Sequence, residues 1–437
     1  MRNSIAKNRQ SIAQPVRSHR PMYQIVLYMG LLLLLGLIVM YALGPQRANV
    51  MNYAYGTNYS DTYFFGKQLT SVFIAVVAFS AFYFTPYKWF TGERSKYILY
   101  AGFALCILLF LSGAVLHLSF AQETNGAYRW FYLGGLGSFQ PSELLKYGVL
   151  LFLAGFLGRR SQQGKLNDIQ ETIIPLGIIS GLSLLMIVFL QKDLGTGISL
   201  IAIILSMILV AGIDWKIFKK ILAIVALCGL VMIFTSPHRI ERVMTFVQGD
   251  SHKGTSSQEN KNYHIQQARI AIGSGGLLGL GIGKSVQATG YLPEATNDSI
   301  FAVMGETFGF VGLMAILALF TALLLSILHV AARLPNVTLR LIVAGIFGWI
   351  ASHVILNIAA MTGLAPLTGI PLPLLSYGGT SMLFIAAALG LVFQISKYTS
   401  HKALEEGESG QDLSGRRRLR RTRYASGSRI FRITENW

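Results

Sequence analysis

The chain has 437 residues, of which 53% are hydrophobic and 13% charged, and its mean hydropathy is +0.52. Its apolar residues form repeated runs of roughly 20 residues, the length that crosses the ~30 Å hydrocarbon core of a bilayer. This pattern excludes a soluble domain and predicts an integral membrane protein. The net charge of +18 does not indicate nucleic-acid binding, because the basic residues lie mainly in the termini and in short loops.

Ten apolar segments are predicted as membrane-spanning helices. They lie near 23–43, 66–85, 97–120, 142–158, 172–190, 195–213, 217–235, 300–330, 339–362 and 378–396. An even number of spans places both termini on one side, and the basic residues of every loop on that side predict that it is cytoplasmic. The predicted fold class is an all-α polytopic membrane protein of about ten transmembrane helices, with a long extracellular loop between helices 7 and 8.

The chain divides into three predicted parts. A basic cytoplasmic segment at 1–22 precedes the membrane domain at 23–399, whose extracellular loop covers 236–299. A basic tail follows at 400–437 and includes RRRLRRTR at 416–423. This composition predicts a disordered cytoplasmic tail and leaves open a contact with anionic lipid or with a cytoplasmic partner.

Ionisable groups within or beside a span are costly and usually face a cavity, so they are the first functional candidates. Glu143 and Lys146 share one helix face at the start of the fourth span, where they form either a structural ion pair or a substrate contact. Gln191 and Asp193 lie in the short turn before the sixth span, and Asp193 is a candidate cap for that helix. Glu306 lies inside the eighth span and requires a polar surrounding.

A polar cleft is predicted at the outer edge of the last spans. Asp298 stands directly before the eighth span, where a partly buried carboxylate acts either as a helix cap or as a general base. The segment at 362–381 contains several prolines and glycines, which interrupt any helix. Non-helical backbone at membrane depth is tolerated only where it is buried in protein or lines a cavity. With His353 and Asn357 on the preceding span, this segment predicts a cleft open to the outside.

Five motifs follow one another along the chain. They are GAYRWFYLGGLGSFQPSELLK at 126–146, QKDLGTG at 191–197, QARIAIGSGGLLGLGIGKS at 267–285, YLPEATNDSIFAVMGE at 291–306 and NIAAMTGLAPLTGIPLPLLSYGGTS at 357–381. Together they resemble the SEDS family of bacterial cell-wall polymerases, the group of FtsW, RodA and SpoVE. The chain departs from this family at 297–299, where Thr-Asp-Phe is usual, at 191–193, where Gln-Pro-Asp is usual, and at Thr380, where a serine is usual.

The resemblance implies a peptidoglycan glycosyltransferase that polymerises lipid II, a disaccharide-pentapeptide on an undecaprenyl pyrophosphate carrier. Its essential carboxylate falls on Asp298, which we predict to be the general base toward the acceptor hydroxyl. Further residues are predicted to bind the substrate, and the basic ones among them to stabilise the departing pyrophosphate. They are Glu143, Lys146, Gln191, Asp193, Arg239, Arg242, Arg269, Lys284, Glu306, Asn357, Ser376, Tyr377, Gly378 and Gly379.

The resemblance also implies partners and a location. The partners are a class B penicillin-binding protein, which is a transpeptidase, and other division proteins. A divalent cation, Mg²⁺ or Mn²⁺, is the candidate cofactor. The basic termini favour the FtsW branch and the division septum. An elongation polymerase of the RodA type, a lipid II flippase and a division scaffold are the alternatives. A flippase should need polar groups along its whole depth, whereas the candidates here cluster in the outer half.

Overall fold

The computed structural model describes residues 19–123, 126–132, 134, 137–234, 240, 256–377 and 379–400. One compact unit covers Ser18–Tyr398. The tail from 401 onward and residues 1–18 lie outside the described residues, so the predictions for them stay predictions.

The described residues are predominantly helical. The α-helices are α1 (Tyr23–Tyr55), α2 (Tyr63–Phe84), α3 (Ser95–Phe110), α4 (Pro141–Gln162), α5 (Ile174–Leu185), α6 (Leu194–Ala211), α7 (Trp215–Phe234), α8 (Ser256–Ser274), α9 (Ile300–Arg333), α10 (Val337–Thr362) and α11 (Gly379–Ile395). Within the described ranges, 9 helical segments are long and apolar enough to cross a membrane. Helix α7 coincides with the remaining predicted span. The predicted polytopic all-α membrane fold is confirmed.

Two connections show features that the predicted spans did not include. The first span was predicted to end at residue 43, but α1 continues through Pro45 and ends at Tyr55, where Gly56 with a φ of 63° caps the helix in the left-handed conformation. A proline within a membrane helix is tolerated because neighbouring groups replace the hydrogen bond that it removes. The loop before α4 contains a short antiparallel pair of strands, β1 (Phe131–Tyr132) and β2 (Ser138–Phe139).

Helix α4 is buried over most of its length, which places its charged residues inside the protein. Glycines allow α3 to approach it closely. A Cβ added at Gly102 would lie 2.6 Å from Leu145 Cα, and one added at Gly148 would lie 2.8 Å from Leu99 Cα. Small residues at such crossings are the usual means by which membrane helices pack.

The glycine-rich segment at 273–287 precedes α9 and pairs with main-chain groups at a break in that helix. Gly309 has φ 66° and ψ −167°, which frees main-chain groups from the helical ladder. The glycine-rich segment pairs with them: Phe310 N–H donates to the Gly276 carbonyl (2.9 Å), Val311 N–H to the Leu277 carbonyl (3.1 Å), Leu280 N–H to the Glu306 carbonyl (2.9 Å) and Gly281 N–H to the Thr307 carbonyl (3.0 Å). A Cβ at Gly279 would lie 2.3 Å from the Thr307 carbonyl oxygen, so the two backbones meet only because this residue is glycine.

The two ends of the membrane domain lie together. The Met22 N–H, directly before α1, donates to Ser396 Oγ, directly after α11, over 2.9 Å. This contact agrees with the even number of spans. The broken segment at 363–378 connects the end of α10 to the start of α11. It therefore lies at the opposite end of α11 from the contact between Met22 and Ser396.

Candidate active site

A cavity of about 1330 Å³ opens where the first turns of several helices converge. Its wall includes the N-terminal ends of α2, α4, α6 and α11, the turn before α9, and residues 367–371 of the broken segment. The N-terminus of a helix carries a partial positive charge and exposes main-chain N–H groups. The four converging ends therefore place partial positive charge on a wall that also carries the carboxylates of Glu143, Asp193, Glu294 and Asp298.

Asp298 lies on the wall of this cavity and is half-buried. The side chain of Asn357, on α10, holds the turn that carries it. Asn357 Nδ2 donates to the main-chain carbonyl of Asp298 (2.7 Å) and to that of Ile370 (2.8 Å). One buried amide therefore joins the turn before α9 to the broken segment after α10, and fixes the backbone from which the Asp298 carboxylate extends.

Two residues of the broken segment add to this attachment. Ser376 Oγ donates to the Asn297 carbonyl (2.6 Å), and the Tyr377 N–H donates to the Thr296 carbonyl (2.8 Å). We call these contacts, together with the two bonds of Asn357, the clasp. The ring of Tyr377 also lines the cavity, where burial raises the pKa of its hydroxyl above the ordinary value.

Asp193 caps α6 and lines the same cavity. Its carboxylate accepts hydrogen bonds from the Thr196 N–H (3.0 Å), from Thr196 Oγ1 (2.8 Å) and from Gln140 Nε2 (2.8 Å). The capping interpretation of this residue is thereby confirmed. The bond from Gln140 also connects the start of α4 to the start of α6.

The turn before Asp193 is held by Arg129, from the loop between α3 and α4. Arg129 Nε donates to the Gln191 carbonyl (3.0 Å), and its Nη2 donates to the Lys192 carbonyl (2.8 Å). Lys192 returns a bond from Nζ to the Gly126 carbonyl (2.7 Å). Its φ is 50°, a value that a proline cannot adopt. The lysine in this motif therefore permits a left-handed turn here.

Glu143 and Lys146 form a buried ion pair, with Glu143 Oε1 2.8 Å from Lys146 Nζ and side-chain exposures of 3% and 0%. Glu143 reaches the cavity wall, whereas Lys146 lies behind it over the ring of Trp349, 4.3 Å from the centroid. Trp349 Nε1 lies 3.2 Å from His353 Nε2, which also contacts Ser199 Oγ at 3.1 Å. The pair is thus part of a buried polar layer under the cavity.

Other predicted site residues lie away from the cavity wall. Arg269 is exposed and donates to the Gly363 carbonyl (3.4 Å), and Lys284 is exposed on the glycine-rich segment. Glu306 is 1% exposed. Its carboxylate accepts from Ser285 Oγ and from the N–H groups of Val286 and Gln287, so the structure gives it the role of holding that segment. Arg239, Arg242 and Gly378 lie outside the described residues.

The structure adds four residues to those predicted from the sequence. Lys67, Arg129 and Lys192 bring positive charge to the cavity wall, and His264 brings an imidazole to the turn of Asp298. Gly379, which was predicted, begins α11 and lines the cavity. Arg129 and Lys192 lie within two of the five motifs, whereas Lys67 and His264 lie outside all five, where no spacing in the sequence connects them to the site.

The carboxylates of the cavity do not form an evident cation site. Among the described residues, no three His, Cys, Asp or Glu side chains come together in a group that could hold a metal ion. Mg²⁺ often takes only one or two carboxylates and completes its shell with water and substrate phosphates. The candidate cofactor stays a prediction, and no step below depends on it.

Fold and site together define a class: a multi-pass helical membrane protein with a polar, acid-containing cavity at one end of its helices. Residues 23–401 match the FtsW/RodA/SpoVE family of cell cycle proteins. The chain belongs to this family, as the five motifs predicted.

Relatives along almost the whole length support this assignment. Stage V sporulation protein E of Bacillus subtilis is 33% identical over 375 residues, which cover 85% of this chain and 95% of the relative. The probable peptidoglycan glycosyltransferase FtsW of Taylorella equigenitalis is 30% identical over 371 residues, 84% and 94% of the two chains. That of Nitrosomonas europaea is 31% identical over 368 residues, 84% and 90% of the two chains. The predicted enzyme class, a glycosyltransferase, is confirmed, and the FtsW names agree with the preference for that branch.

Solved structures confirm the fold. A chain from a structure titled as the structural coordination of polymerization and crosslinking by a peptidoglycan synthase complex has a TM-score of 0.61 and 24% identity, covering 86% of this chain and 97% of its own. RodA of Thermus thermophilus has a TM-score of 0.56 and 24% identity, with 86% and 96% coverage.

Proposed function

We propose that the protein polymerises lipid II into glycan strands at the outer face of the bacterial cytoplasmic membrane, for septal cell-wall synthesis during division. The observation that carries the proposal is the position of Asp298, a carboxylate held by the clasp on the wall of a cavity where helix N-termini and basic side chains also meet. A lipid-linked pyrophosphate sugar supplies both the anion and the electrophilic carbon that such a site requires.

In the proposed reaction Asp298 is the general base. The acceptor sugar hydroxyl attacks the anomeric carbon of the donor, so a C–O bond forms there while the bond from that carbon to the pyrophosphate breaks. The hydroxyl proton passes to the Asp298 carboxylate. The clasp supports this role, because a base contributes only when it is held close to the reacting atoms.

The leaving group is a pyrophosphate, so positive charge is more useful to it than a proton donor. The cavity wall offers three cationic side chains that could supply this charge, those of Lys67, Arg129 and Lys192. Arg129 donates from Nε and from Nη2 to main-chain carbonyls, so we assign it mainly to shaping the turn. Lys192 Nζ gives one of its three protons to the Gly126 carbonyl and keeps two, so Lys67 and Lys192 are the foremost candidates for direct contact with the phosphates, in place of Arg269 and Lys284.

The proposed setting follows the relatives and the charge pattern. Both termini lie in the cytoplasm, which the basic loops support. The partner is a class B penicillin-binding protein that crosslinks the new strands, together with other division proteins. The synthase complex to which the fold is similar combines polymerization and crosslinking, which supports such a pairing.

A lipid II flippase is the rival, and one experiment separates the two. The purified protein, alone and with its cognate transpeptidase, is incubated with lipid II, and glycan chains are resolved by gel electrophoresis. We expect polymers from the wild type. In parallel, vesicles containing the protein are tested for transfer of labelled lipid II between leaflets. Absence of polymer in both samples, together with transfer in the vesicles, would contradict the proposal and favour the flippase.

A further inference from the structure

The turn that carries Asp298 has a contact that the mechanism above does not use. Within the turn, the N–H groups of Asn297 and Ser299 both donate to the Glu294 carbonyl, over 2.9 and 3.2 Å. Ser299 follows Asp298 directly and is fully buried. Helix α8 reaches this residue through His264, whose Nε2 lies 2.6 Å from Ser299 Oγ. His264 and Asp298 both line the cavity.

The direction of this hydrogen bond follows from the second bond of Ser299. Its hydroxyl has one proton, and Ser299 Oγ lies 2.8 Å from the Pro293 carbonyl oxygen, which can only accept. The serine proton is therefore directed at Pro293, and His264 Nε2 must donate to Ser299 Oγ. Burial is the main influence on the imidazole and lowers its pKa below the ordinary value, opposed by the charge of Glu294. The neutral form with a proton on Nε2 fits this geometry at neutral pH.

The contact uses a residue at which the chain departs from the usual family motif. Ser299 stands where the family usually has phenylalanine, which has no hydrogen-bonding group. The bond starts from α8, within the long connection at 236–299, and ends one residue after the proposed base. The clasp holds the main chain at 296–298, whereas His264 holds residue 299, so the turn is attached on both sides of the Asp298 carboxylate.

We propose that His264 is a positioning residue for the glycosyl transfer, which acts on Asp298 through Ser299. It fixes Ser299 and, with it, the last peptide of the turn, so that the carboxylate keeps its place on the cavity wall. The position of the base then depends on helix α8 as well as on the clasp. A displacement of about 1 Å at a reacting group can cost about a hundredfold in rate.

This proposal rests on the proposed function. Four variants test it in the polymerisation assay. We expect His264→Ala and Ser299→Ala each to lower kcat about tenfold with little change in KM, because substrate still binds while the base is less well placed. The double variant should be no slower than the slower single one, since both changes remove the same contact. His264→Gln keeps a donor near the position of Nε2 and should retain most of the activity.

A matched control and a second readout separate positioning from general damage. His329 is exposed near the far end of α9, and His329→Ala should leave kcat unchanged. Amide hydrogen exchange over 293–300, measured without substrate, should rise in His264→Ala and stay near the wild-type level in His264→Gln. Equal exchange in wild type and His264→Ala, additive losses in the double variant, or a glutamine variant as slow as the alanine variant would each overturn the proposal. If the wild type makes no polymer, the proposed function fails instead, and hydrogen exchange alone decides whether His264 holds the turn.

Discussion

Two carboxylates near the start of α9 have opposite surroundings. Glu306 is 1% exposed and is surrounded by a hydroxyl and two main-chain N–H groups of the glycine-rich segment. Asp298 lies on the cavity wall, and the clasp reaches the main-chain carbonyls of its turn. A carboxylate enclosed by donors stabilises structure, whereas one displayed at a cavity on a fixed backbone is suited to chemistry. Residue type alone does not separate these roles; the surroundings do.

The largest effect on stability is expected where an enclosed carboxylate neutralises a buried cation. Glu143→Ala removes the partner of Lys146, whose side chain is 0% exposed, and leaves an unpaired charge inside the bundle. We expect a loss of about 3–5 kcal/mol in the free energy of unfolding. The midpoint of thermal unfolding in detergent measures it. The double variant Glu143→Leu/Lys146→Met removes both charges and should recover much of the loss; a double variant no more stable than Glu143→Ala would argue against a structural ion pair.

A smaller loss of stability is expected at Glu306. Glu306→Gln places an amide NH₂ among N–H donors, so at least one buried hydrogen bond is lost, at about 1–3 kcal/mol. Thermal unfolding should show the loss, and limited proteolysis should cut the glycine-rich segment more readily. Asp61→Asn, at an exposed loop position, is the matched control and should change the unfolding midpoint little. A Glu306→Gln protein of normal stability but without activity would mean that Glu306 belongs with Asp298.

The smallest effect is expected from an exposed cation at the cavity. Lys192→Gln should raise the KM for lipid II by no more than about fivefold and leave kcat nearly unchanged, since an exposed charge contributes roughly 0.2–1 kcal/mol. The difference should shrink in high salt. Lys284→Gln serves as the control, because Lys284 is exposed outside the cavity wall. If only the Lys284 variant binds lipid II more weakly, the leaving group lies over the glycine-rich segment.

The sequence predicted the spans well, because apolar runs of membrane length depend little on tertiary contacts. It also placed Glu143, Asp193 and Asp298 at the site, since charged groups beside spans are rarely tolerated without a polar surrounding, and the family resemblance added Tyr377. All four line the cavity. Their individual roles were harder to predict, and for Glu143 the ion pair and the cavity wall both apply.

One physical reason explains why the sequence did not assign Arg129 and His264 to the site. Arg129 and His264 act through contacts with residues far away in the chain, the carbonyls at 191 and 192 and the hydroxyl of Ser299. No local pattern encodes such pairings. Conversely, Lys284 and Arg269 are basic and close in sequence to the site but lie off the cavity wall, because the glycine-rich segment carries Lys284 back against α9 and Arg269 on α8 faces the Gly363 carbonyl.

The most direct test of the account compares one substitution at two carboxylates of the same cavity. Asp298→Asn removes the proposed base and nearly preserves its shape, and polymerisation of lipid II should fall by about 10²–10⁴-fold with normal unfolding. Asp193→Asn keeps an oxygen for the Thr196 N–H and should retain most of the activity. This pair of results would support Asp298 as the base and Asp193 as the cap. A folded Asp298→Asn protein that polymerises at the wild-type rate would contradict the central claim.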